Sequence, residues 1–85
     1  MKHADRKTLE QIASLLNDIR QRMPPLKEKQ AGVFYLKSTA FLHFHTDPRG
    51  IFADLKVDGN WVRYAVNDDN EQAALLAALD ERLVG

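Results

Sequence analysis

His43 and His45 stand two residues apart in the run AFLHFHTDP, residues 40 to 48. On a β-strand both imidazoles would point to one side, roughly 6.5 to 7 Å apart, close enough to converge on one metal ion. Asp54 or Asp47 could add a carboxylate, but two histidines and one acid are a thin ligand set. The third histidine, His3, falls in the polar amino-terminal stretch, so the residues specify no metal and no other cofactor. An imidazole held by a carboxylate can instead act as a general base, and His43 with Asp54 is the pair for it. Arg63 competes for the same carboxylate. Ser38 and Thr46 have no discernible claim as nucleophile, and there is no Gly-rich phosphate loop. These residues argue against an enzyme and nominate no catalytic residue.

The elements that must position these side chains follow from periodicity. Leu9, Ile12, Leu16, Ile19 and Met23, with Ala13 beside them, make one helical stripe, which predicts a helix over 6–23 capped by Asp5 or Thr8. Pro24 and Pro25 should stop it. LKEKQAG (26–32) reads as a polar connector. The period then changes to two, and VFYLK (33–37), AFLHFH (40–45), IFADLKV (51–57) and WVRYAV (61–66) read as strands. Asn67 or Asp68 should cap a last helix with Gln72, Leu76, Leu79 and Leu83 on its inner stripe, widened by Leu75. The expected fold class is α+β: a two-layer domain spanning 1–85, in which a four-stranded antiparallel meander carries both helices on one face, in the order α-β-β-β-β-α.

Turn chemistry sets the register. Asp47-Pro48-Arg49-Gly50 suits a type I turn and Asp58-Gly59 a type I′ hairpin, whereas the turn near Ser38-Thr39 has no such signature. Two-residue loops then place His45 opposite Phe52, His43 opposite Asp54 and Phe41 opposite Lys56. They also place Asp54 opposite Arg63, Lys56 opposite Trp61 and Phe52 opposite Ala65. Both registers keep one apolar set inward: Phe34, Leu36, Leu42, Phe44, Ile51, Ala53, Leu55, Val57, Val62, Tyr64 and Val66. The outward set is Tyr35, Lys37, Phe41, His43, His45, Phe52, Asp54, Lys56, Trp61, Arg63 and Ala65.

An uncovered sheet face with that many large aromatics predicts an interaction surface. The expected interface residues are Tyr35, Phe41, Phe52, Trp61, Lys56 and Arg63, with His43, His45 and Asp54 as a polar site within it. The first expectation is a non-catalytic module that self-associates, as a dimer, or binds a partner through this face. A small-ligand or metal site at His43, His45 and Asp54 is the alternative. A third reading is a stacking platform for single-stranded nucleic acid, with Lys37, Lys56 and Arg63 on phosphates. The zero formal net charge and Asp54 at the centre of the face argue against it. The seven cations and four acids of residues 1 to 30 give way to four cations and eight acids in residues 46 to 85, which reads as helix surfaces of opposite sign.

AFLHFH-x-DP-x-G-x-FADL and the hairpin after it resemble a group of short bacterial proteins with no assigned activity. The resemblance covers about half of the chain. It implies a small stand-alone cytoplasmic protein and transfers no cofactor or binding residue. The lack of cysteine suits a reducing compartment, the polar start does not read as a secretory signal, and no apolar run is long enough to span a membrane.

Overall fold

The computed structural model describes residues 2, 3, 5 to 22 and 25 to 84. The elements are β1 (Lys2–His3), α1 (Arg6–Gln11), α2 (Ala13–Arg22), β2 (Leu26–Gln30), β3 (Val33–Leu36), β4 (Thr39–Asp47), β5 (Gly50–Val57), β6 (Asn60–Ala65) and α3 (Asp69–Val84). Strands β2 to β6 form an antiparallel open sheet in sequence order, and β1 adds a short segment on β4. The fold is α+β with helices at both ends. It has five meander strands where four were expected, because 26–32 is a strand and a turn rather than a connector. Its pattern was hidden by composition: Leu26 and Glu28 face inward, but Glu28 is charged.

Glu28 is held inward by Arg20 of α2, through Nε to Oε1 at 2.6 Å and Nη2 to Oε2 at 2.9 Å. Glu28 Oε2 also accepts the Gly32 N–H at 2.9 Å, in a turn where Gly32 has a φ of 77°. This bidentate pair ties the amino-terminal helical segment to the first hairpin. It holds the Glu28 carboxyl below its ordinary range, chiefly through the Arg20 hydrogen bonds.

The predicted helix over 6–23 is bent at Ile12, which has a φ of −111° and a ψ of 23°. The Leu16 N–H still donates to the Ile12 carbonyl at 3.0 Å, so the two segments run on. No proline or glycine marks this site; Ile12 is buried in the core there. Asp5 is the cap, accepting the Thr8 N–H at 2.9 Å. Met23 as the end of the stripe and Pro24 as its stop lie outside the described residues. Among those described, no helix is long and apolar enough to cross a membrane.

One core joins the layers. Ile12, Leu15, Leu16 and Ile19 from α1 and α2, and Leu75 and Leu79 from α3, pack in the same cluster as Phe34, Leu42, Phe44, Ala53 and Leu55. The carboxy-terminal helix is locked to the sheet by polar bonds. Asp68 caps it by accepting the Glu71 N–H at 2.8 Å, and Glu71 returns to the Asn67 N–H at 2.7 Å. The Asn67 carboxamide accepts from the Ile51 N–H at 2.9 Å and donates to the Ile51 carbonyl at 3.3 Å. It thereby extends the β5 ladder past the end of the sheet.

Both predicted hairpin registers are present, from Asp47 opposite Gly50 to His43 opposite Asp54, and from Val57 opposite Asn60 to Phe52 opposite Ala65. One side chain departs from its expected face, and another keeps its face without being buried. Phe41 was expected outward opposite Lys56, yet the β4–β5 ladder ends at Leu42 opposite Leu55, and Phe41 is only 9% exposed within the core. The β3–β4 pairing slips between Phe34 and Tyr35, so Phe41 is the extra residue of a β-bulge, which re-aims its side chain. Val62 keeps its expected side, opposite Leu55, but is 38% exposed there on edge strand β6.

Candidate functional site

The open face is organised around Asp54 on β5. Its Oδ1 accepts from Arg63 Nε at 3.3 Å on β6. Its Oδ2 lies 3.0 Å from His45 Nε2 and 3.9 Å from His43 Nε2, both on β4. Strand pairing explains the convergence, since His43 and Arg63 flank Asp54 in register while His45 sits one outward position along. The His45 contact has the length of an ion pair without the angle of a hydrogen bond. His45 was expected to be exposed on the sheet surface, but it is only 4% exposed, stacked on Phe52 with the centroids 6.1 Å apart. The backbone of β1 runs beside it, with His3 in register opposite His45. The sequence offered no sign of that pairing, because two residues are too short to show a period.

The expected interface residues other than Phe41 share this face. Trp61 is 44% exposed, with His43 edge-on at 4.7 Å and Lys56 Nζ 5.2 Å from its ring centre. Phe52 is half-buried, with Arg49 and Arg63 each 5.7 Å from its ring. Tyr35 has Lys29 Nζ 4.8 Å from its ring. Each of these rings is therefore paired with a cation rather than exposed as bare apolar surface.

Lys27 and Lys29 were missed. They reach the face because β2 is a strand: Lys27 pairs with Tyr35, and Lys29 lies over it. Alternation of Leu26, Glu28 and Lys27, Lys29 was the available signal, masked by the inward glutamate. The face thus carries Lys27, Lys29, Lys37, Arg49, Lys56 and Arg63 against Asp47 and Asp54. Asp47 is ion-paired to Arg49 at 3.0 Å, which holds its carboxyl below the ordinary range, and Asp54 is ion-paired to Arg63. Since the formal net charge is zero, the rest of the molecule carries the balancing negative charge.

The arrangement offers little to the chemical alternatives. Among the described residues no group of three or more His, Cys, Asp and Glu side chains is placed to hold a metal ion, His43, His45 and Asp54 included. For base catalysis, Asp54 is shared between Arg63 and two imidazoles. Ser38 lies in the β3–β4 turn, and Thr46 pairs with Ile51 of the inward set, so neither hydroxyl belongs to the histidine cluster. No protein family, no curated protein and no solved structure matches this chain.

Proposed function

We propose that this protein is a non-catalytic binding module whose open sheet face holds single-stranded nucleic acid. One observation carries the reading: every large aromatic on the face is accompanied by a cation, while both carboxylates there are already neutralised by arginine. Bases stack on aromatic faces, and ammonium and guanidinium groups between them meet phosphates. Tyr35 on β3 and Trp61 on β6 are three strand spacings apart, roughly 14 Å, a span of a few nucleotides. The zero net charge that argued against this partner is an average over two unlike surfaces. Such a ligand fits the cytoplasmic location expected for the chain.

Trp61 is the only tryptophan, so its fluorescence reports directly on the face. Titration with a short oligothymidylate at low salt should quench it, and Trp61→Ala should weaken binding, followed by anisotropy of a labelled strand, by about 1 to 3 kcal/mol. Absence of binding at low ionic strength would rule the reading out.

Self-association keeps one supporting observation. Trp61 and Val62, the large hydrophobics exposed among the described residues, are neighbours on edge strand β6. Face-to-face packing of two copies would oppose like charges, so a dimer would form through that edge. Light scattering should then return twice the chain mass, and Trp61→Asp should restore the monomer.

A further inference from the structure

The β2–β3 corner of the face contains a separate cavity of about 150 Å³, lined by Pro25, Lys27, Lys29, Tyr35, Lys37 and Ser38. We infer that this cavity is a phosphomonoester site, which grips the terminal phosphate of the strand lying across the face. For its ligand the inference rests on the single-strand reading; for its chemistry it rests on the cavity alone.

Size is the first argument. Sites for whole small molecules run from roughly 300 to 1,000 Å³, so this cavity takes a single group. Charge is the second. Three lysines line it, and no carboxylate is among the described residues that line it. A phosphomonoester carries roughly −1.5 to −2 at neutral pH and matches three cations better than a diester with a single charge. The Tyr35 and Ser38 hydroxyls are the donors there that add no further charge. The nearby Glu28 is withdrawn to the opposite side of the sheet by Arg20, so it does not compete for the lysines.

Backbone geometry is the third argument, and it is independent of charge. Lys37 and Ser38 form the two-residue turn between β3 and β4, and both have positive φ, at 52° and 70°. Asn-Gly would adopt this turn without strain. Strained backbone retained at a site is a pointer to function. Here the strained conformation belongs to two residues that both line the cavity. Lys29 is pre-positioned over the Tyr35 ring at 4.8 Å, which limits the freedom lost on binding.

The test compares an oligothymidylate bearing a 5′- or 3′-phosphate with the same strand ending in hydroxyls, alongside inorganic phosphate alone followed by amide chemical shifts. A terminal phosphate should tighten strand binding by roughly tenfold or more, as new charge-assisted hydrogen bonds would. Lys27→Gln combined with Lys37→Gln should abolish that gain, while Lys7→Gln on α1 leaves it intact. Inorganic phosphate should shift the amides of Lys27, Lys29, Tyr35 and Ser38. Equal affinity for phosphorylated and unphosphorylated strands, with no phosphate-induced shifts, overturns the inference and leaves the single-strand reading standing. Phosphate shifts at this corner without strand binding uphold the site and remove the single-strand reading. Circular dichroism of the double variant checks that its fold is kept.

Discussion

At the scale of single residues, polar side chains do more positioning here than their number suggests. Asn67 copies a strand residue by bonding both the N–H and the carbonyl of Ile51. Asn67→Ala should therefore lower stability by about 1 to 2 kcal/mol in urea denaturation, with Ile51 and Val66 amides exchanging faster. Gly50 makes this contact possible: a Cβ there would fall 2.6 Å from Asn67 Oδ1, and its φ is 144°. Gly50→Ala should cost about 1 to 3 kcal/mol for both reasons. The histidines, legible in the sequence as a pair on one side of a strand, are indeed together on the Asp54 face. Their unequal burial was not legible, because it depends on Phe52 and on a β1 backbone more than 40 residues away in the chain.

At the scale of elements, the Pro48-Arg49 and Asp58-Gly59 turns were readable, whereas the Ala31-Gly32 turn and the geometry of Lys37-Ser38 were not. Asp58-Gly59 adopts its expected positive φ values of 52° and 84°. Lys37-Ser38 adopts a similar conformation without the residues that favour it. Left-handed backbone costs an L-residue roughly 1 to 2 kcal/mol, so replacing the pair with Asn-Gly should raise the thermal midpoint and add about 1 kcal/mol or more of stability. The same replacement should reduce the benefit of a terminal phosphate, since it removes one ammonium and one hydroxyl from the cavity. The bulge at Phe41 escaped the alternation argument for a related reason. A period of two assumes an uninterrupted ladder, and one unpaired residue turns an outward position into a core one.

At the scale of the whole molecule, charge is segregated between the two sides of the sheet. Strand binding should weaken steeply with salt, with log affinity falling by about 0.7 per phosphate engaged for each unit of log salt. Stability should depend on acid in a definite direction. Glu28 has a folded-state pKa lowered by Arg20, and Asp47 one lowered by Arg49. Such groups stabilise the fold fully above their unfolded pKa, and that stabilisation is lost as pH falls through the lower folded value. Glu28→Gln should cost about 1 kcal/mol at neutral pH and flatten the acid limb of the stability profile.

The sequence by itself determined the α+β class, two hairpin registers and the company of His43, Asp54, Arg63, Lys56 and Trp61 on one face. Those features rest on periodicity and turn chemistry, which act over a few residues. Tertiary structure alone decided that residues 26 to 30 form a strand, that Phe41 turns into the core, and that Lys27 and Lys29 complete a cationic face. Each of these depends on a partner in a different element, which a period read within one element does not register: Arg20 of α2 for Glu28, the slipped β3 ladder for Phe41, and Tyr35 of β3 for the two lysines.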